Sequence, residues 1–193
     1  MSPPTLTPRA AREHAAFRAL LDGMARPGTL QPVAPHPSGG PSAHVVSLLE
    51  SVLDHEVTFA LEPDDAPLLD SALRYTGSRT ATLEAADYVL ARGTGVRRAI
   101  SGAKQGELEY PDRSATILAQ MDGISETETD GLRIQLRGPG IADQRTLWVR
   151  GLAIEDVQLL RERNANLPLG VDLVLVTDSG WLACVPRYTR IDC

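Results

Sequence analysis

Asp54-His55-Glu56 places three ionisable side chains in consecutive positions. A histidine between two carboxylates could ligate a metal or move a proton. The spacing argues against a metal-binding helix, which carries two histidines four apart with a Glu between them. Consecutive positions fit a turn between a helix and a strand. His14, His36 and His44 also lack a paired ligand at useful spacing. No serine stands in a Gly-x-Ser-x-Gly elbow, and no lysine closes a Walker-type loop. No catalytic residue, metal ligand or cofactor ligand is assigned on these residues.

Two constellations could hold an anion. In Arg137-Gly138-Pro139-Gly140 the glycines let backbone amides approach a ligand and the guanidinium supplies charge. In Pro186-Arg187-Tyr188-Thr189-Arg190 two guanidiniums stand beside two hydroxyls. Arg137, Gly138, Gly140, Arg187 and Arg190 are thus the candidate residues for a phosphate or phosphonate. The alternatives are a tight turn leaving a strand for the first group, and a solvated tail or subunit contact for the second. Gly93-Thr94-Gly95-Val96 opens like a phosphate-cradling turn. It lacks the third glycine and a strong preceding strand, so a surface loop is expected. Glu107 to Ser114 is a polar loop around Tyr110, suited to recognition or to plain packing of one aromatic ring.

The totals narrow the chemistry. Lysine and arginine number 19, and Lys104 is the one lysine, leaving 19 − 1 = 18 arginines. A Schiff base would therefore have one candidate amine, in a Gly-bracketed segment expected to lie in water rather than in a desolvated pocket. Two cysteines, Cys184 and Cys193, make neither a disulfide framework nor an iron–sulfur ligand set. A net charge of −6 speaks against non-specific nucleic-acid binding. No run approaches the ~18 apolar residues of a membrane span, and residues 1–11 lack the apolar core of a signal peptide. One cytoplasmic domain over residues 1–193 is expected.

The elements that would position these residues are legible in part. Thr7 can cap a helix from Pro8 to Ala25, with Pro8 at its first position. Phe17, Leu20, Leu21 and Met24 form its apolar stripe, and Arg26-Pro27-Gly28 stops it. A loop from Pro32 to Pro41 leads to a helix over Ser42–Leu53. A strand over Val57–Leu61 and a short helix over Pro67–Tyr75 follow. Further strands are expected at Tyr88–Leu90, Ala115–Ala119, Leu132–Arg137 and Thr146–Val149, with a turn over Ser125–Asp130. A helix over Ile154–Arg163 precedes a hairpin of Val171–Val176 and Trp181–Val185. This order implies a mixed sheet covered by helices, a three-layer α/β arrangement.

Several segments, in order, resemble the PhnH family of phosphonate metabolism. They are Phe17 to Gly28, Leu73 to Gly77, Ser114 to Ala119, Leu136 to Ile141, Leu167 to Leu175 and Val185 to Arg190. Tyr188 stands where the family pattern has a second threonine. The resemblance implies a three-layer αβα fold similar to the large domain of pyridoxal-phosphate-dependent transferases, without that cofactor's site. It also implies a homodimer that joins PhnG, PhnI and PhnJ in the carbon–phosphorus lyase core complex. That system transfers a phosphonate to the ribose C1 of ATP with loss of adenine. The expected role is a non-catalytic assembly and binding subunit. The alternative is a stand-alone enzyme or sensor that binds a nucleotide or phosphonate.

Overall fold

The segment Asp172–Thr177, DLVLVT, has almost no polar residue to show to water, so both of its faces must be covered. It is the strand β9 of a seven-stranded mixed sheet in a computed structural model that describes residues 6–40, 42–62 and 72–193. The other strands of this sheet are β1 (Gln31–Pro32), β2 (Thr58–Glu62), β3 (Arg79–Thr80), β4 (Tyr88–Arg92), β5 (Thr116–Met121) and β10 (Trp181–Val185). Their order is β1-β10-β9-β5-β4-β2-β3. From β9 to β3 all neighbours are parallel, while β10 and β1 add antiparallel strands at one side.

Alternate residues of these strands feed two cores. On one face Phe59, Leu90, Leu118, Val174 and Leu182 meet helices α1 (Pro8–Ala25) and α2 (Ala43–Val52). On the other, Val89, Ile117, Leu173 and Leu175 meet α3 (Gly95–Gly102) and α4 (Ile154–Arg163). That second face is shared with an antiparallel four-stranded sheet, ordered β11-β7-β8-β6. Its strands are β6 (Gly123–Ser125), β7 (Leu132–Arg137), β8 (Arg145–Arg150) and β11 (Arg190–Asp192). The strict alternation of β7 sends Ile134 and Leu136 inward and Arg133, Gln135 and Arg137 outward. The fold is the three-layer α/β arrangement expected from the order of elements, with a small sheet in the outer layer beside α3 and α4.

The start and stop of α1 are as the sequence implies. Ala10 N–H donates to Thr7 Oγ1 at 3.2 Å, Pro8 opens the helix, and Arg26 N–H closes it on the Asp22 carbonyl. Its buried stripe is the expected one only in part: Leu20 is buried and Met24 packs against the same core. Ala16, Ala19, Leu20 and Gly23 face the sheet, whereas Phe17 and Leu21 are 42% and 47% exposed. The reason is close approach: a Cβ on Gly23 would lie 2.8 Å from Cys184 Sγ and 3.1 Å from Leu182 Cδ1. Small residues let α1 sit down on β10, and that rotates the two large side chains outward. Burial pushes the Cys184 thiol well up, with the Asp172 charge adding to it, so this sulfur is a packing group rather than a nucleophile.

Three further expectations are corrected. The Gly93 to Val96 stretch is a surface loop only at Gly93-Thr94: at Gly95 it enters α3, with Val96, Ala99 and Ile100 buried at helical spacing. Of the alternatives left open for Pro186 to Arg190, a solvated tail does not hold at Arg190, which begins the strand β11 paired antiparallel with β7. Lys104 does not lie free in water; its Nζ donates to Asp87 Oδ1 at 2.6 Å. Of the helix expected over Pro67–Tyr75, residues 72–76 are helical and 67–71 lie outside the described residues.

Candidate functional site

Parallel strands leave their carboxyl ends along one edge, where side chains and turn amides converge without being needed for the ladder. Here β4, β5 and β9 end together at Arg92, Met121 and Thr177. A cleft of about 1140 Å³ opens over these ends, walled on its far side by β6 and by Arg150 of β8. The Gly93-Thr94 turn that leads into α3 lines it. The Gly-rich turn therefore does follow a buried strand and open a helix, the context that the sequence did not reveal. Tyr88-Val89-Leu90 was the available signal, with Gly93 three residues beyond it.

The cleft is polar and partly ordered by its own contacts. Gln120, at the end of β5, donates from Nε2 to Asp178 Oδ1 at 2.6 Å, joining β5 to the β9–β10 turn. A carboxylate only accepts, so the amide oxygen must point the other way. That oxygen is buried with no partner among the described residues. Arg150 donates from Nη2 to the Asp122 carbonyl at 3.2 Å and lies 3.8 Å from Asp130. Trp181 stands at the rim, 42% exposed.

The residues singled out in the sequence lie elsewhere. Arg137 and Arg190 are Cα partners in the β7–β11 ladder, on the outer side of the small sheet. Arg137 donates to Gln144 Oε1 at 2.7 Å. Gly138 (φ 142°) passes beneath the chain at Tyr188, where a Cβ would meet the Tyr188 carbonyl at 3.0 Å. Gly140 (φ 80°) abuts the end of α1. Both glycines serve close backbone packing, the turn reading of this motif. Arg187 and Arg190 line a second groove of about 450 Å³ between α4 and β11. The Arg187 guanidinium is already engaged by Asp172, by the Pro111 carbonyl at 2.8 Å and by the Pro168 carbonyl. Asp54-His55-Glu56 is an exposed turn in which Glu56 N–H donates to Asp54 Oδ1 at 2.8 Å.

Lys104 lines neither cleft. Its partner Asp87 also accepts from Thr58 N–H and Thr58 Oγ1, each at 2.8 Å, which fixes the start of β2 against β4. Burial works against the charged Asp87 carboxyl, but the bonds from Lys104 and Thr58 outweigh it, so its pKa lies below the ordinary value. A pKa lower in the folded than in the unfolded state gives stability that is complete above about pH 4 and lost as pH falls through the folded value. Asp87→Asn should therefore flatten the acid limb of stability below about pH 4, measured by urea unfolding. An equally steep limb in the variant would show that Asp87 is not the group titrating there.

Similarity to known proteins covers this architecture almost end to end. The family model described as "Bacterial phosphonate metabolism protein (PhnH)" matches residues 4–192. The chain is 34% identical over 184 residues to the "Putative C-P lyase subunit protein HtxG" of Stutzerimonas stutzeri, covering 95% of this chain and 88% of that one. It is 29% identical over 187 residues to the "Alpha-D-ribose 1-methylphosphonate 5-triphosphate synthase subunit PhnH" of Rhizobium meliloti (strain 1021), covering 91% of this chain and 88% of that one. The match spans both sheets, both clefts and the packed glycine turns, and so the chain belongs to the PhnH family of bacterial phosphonate metabolism proteins.

Proposed function

We propose that this chain is a subunit of a carbon–phosphorus lyase core complex. It acts there as an assembly and binding subunit in the transfer of a phosphonate to the ribose C1 of ATP, with adenine leaving. The observation that carries this reading is the end-to-end family match, together with relatives named as subunits of such a system. The fold supplies a fitting surface. Phe17 and Leu21, four apart on α1, face the solvent as adjacent apolar side chains. The partners of this reading are PhnG, PhnI and PhnJ, with a second copy of the chain completing a homodimer in the cytoplasm. Co-expression of the tagged chain with those subunits, followed by affinity capture at low salt and intact-mass analysis, tests it. Recovery of the four together is expected; recovery of the tagged chain alone would sink the reading.

A second reading has its own observation. Arg137 and Arg190 sit directly opposite each other in an antiparallel ladder, on its exposed side. Like charges so placed destabilise a sheet by roughly 0.2–1 kcal/mol. The pair is tolerated if an anion or an acidic partner surface lies between them, as a phosphonate- or nucleotide-binding sensor would require. Arg190→Glu should then raise the denaturant midpoint of the isolated protein while weakening anion binding or capture of the sister subunits. A lower midpoint in this variant would show that the pair is not under repulsion.

A further inference from the structure

We propose that the groove between α4 and the free edge of β11 takes an extended segment of another chain, added to the small sheet as a further strand, in which acidic and apolar residues alternate. The inference gives a form to the acidic partner of the second reading above, and rests on that reading only for the sign of the charge.

The edge is open. In the order β11-β7-β8-β6 the strand β11 ends the sheet, and among the described residues its backbone hydrogen bonds run to β7 alone. An antiparallel strand turns alternate N–H and C=O groups away from its neighbour, so β11 keeps donors and acceptors on its far side. The edges of the large sheet are blunted. Its β1 carries Pro32, which has no N–H to offer, and its β3 is two residues long with both exposed. At β11 the edge instead faces a groove of about 450 Å³, whose opposite wall is the end of α4. Extended peptides add to a sheet edge in this way, their backbone bonds giving affinity and pockets for alternate side chains giving specificity. The helix also bars a second copy. It stands where the edge of another folded sheet would have to come, so the groove admits a single extended chain.

The side chains set the pattern of the segment. Ile191 is buried, while Arg190 and Asp192 are exposed. A residue set beside Ile191 therefore enters the groove, which Leu160 lines from within and where Leu167 and Tyr188 are exposed. That residue must be apolar. A residue set beside Arg190 extends the outer row in which Arg137 already stands opposite Arg190. Two guanidiniums in that row call for a carboxylate as the third member. Arg161, on the α4 wall, lies 3.2 Å from Asp192, with both side chains exposed. So exposed a pair is weak enough to exchange for an incoming carboxylate. Arg161 thus offsets Asp192, and an acidic residue serves at both outer positions. On a chain of net charge −6 this edge is locally basic.

The test uses the isotope-labelled full chain, read by its amide NMR spectrum, and a capped five-residue peptide that alternates glutamate and valine. Saturable shifts are expected at the amides of Arg190, Ile191 and Asp192. The same peptide with lysine for glutamate, and the same peptide fully N-methylated, should each bind at least about tenfold more weakly. Arg190→Glu should reverse the preference, so that the lysine peptide binds the better of the two. No shift at β11 with millimolar peptide, equal binding of the lysine or N-methylated peptide, or an unreversed preference in Arg190→Glu would each overturn the proposal. Shifts at β11 on dilution of the chain alone would place a second copy on this edge and overturn it as well. The denaturant midpoint of Arg190→Glu and the capture of sister subunits are scored separately. A midpoint that does not rise refutes only the repulsion between Arg137 and Arg190, and a chain that binds the peptide but captures no sister refutes only the subunit reading.

Discussion

Replacing Arg187 with alanine is expected to destabilise the isolated protein by about 3–5 kcal/mol, a fall of roughly 10 °C in Tm for a chain of this size. The magnitude follows from burial. The side chains of Arg187 and Asp172 are only 11% and 17% exposed, and Nη2 meets Oδ2 at 2.6 Å. Arg187 N–H donates to the same carboxylate at 2.8 Å, and Nε lies 3.3 Å from Oδ1. An exposed pair would contribute about 0–1 kcal/mol. Here the substitution would leave Asp172 at the start of β9 in a half-buried site without its cation. It would also release the Pro111 carbonyl that anchors the preceding loop. Arg187→Lys keeps the charge but not the fork, so an intermediate loss is expected. Thermal unfolding of the series checks this. An unchanged Tm together with lost anion binding would return Arg187 to the role of a ligand residue.

Gly140→Ala is expected to cost about 3 kcal/mol or more, although one methyl group is all it adds. Two effects combine. The φ of 80° is strained for any residue with a Cβ. The added carbon would also collide with the Ala25 carbonyl and lie 2.9 Å from Pro27 Cδ, neither of which is a flexible side-chain tip. The contact is reciprocal. Gly28, at φ 74°, has Leu136 Cδ1 and Arg145 Cδ at 2.6 and 2.8 Å from its own ideal Cβ position. The two Pro-Gly turns, one after α1 and one after β7, thus lock the first layer to the small sheet across the molecule. Gly39→Ala is the control, since that glycine has φ 69° but nothing within 4 Å of an added Cβ. It should show the backbone part alone, about 1 kcal/mol. Urea midpoints of the two variants separate the terms; equal losses would mean that the clash at Gly140 is relieved by chain movement.

What the sequence reveals, and what it conceals, follows from which signals are local. The capped start of α1, the alternation of β7 and the apolar run of β9 are local patterns, and each forms the element it implies. The orientation of α1 is not local. Phe17 and Leu21 match a helical stripe as well as Ala16 and Gly23 do, and only the thiol of Cys184 far along the chain decides between them. The helix α3 was hidden by glycines at both ends and by three residues of burial signal in eight. The same concealment applied to the cleft, whose walls come from five strands, β4, β5, β6, β8 and β10, and from the turns between elements, with no motif in common. Arg187 shows a different limit. Its residue type suits anion binding, but the acceptors that engage it lie 15 and 76 positions away in the sequence.

The most direct test of the subunit account is adenine release from ATP in the presence of methylphosphonate. The assay is run on the co-expressed complex, on the complex without this chain, and on this chain alone. The account predicts release by the full assembly, a strong loss when this chain is omitted, and none from the pure solitary chain. Sustained adenine release by the solitary chain would contradict it, because the protein would then carry a complete reactive centre of its own.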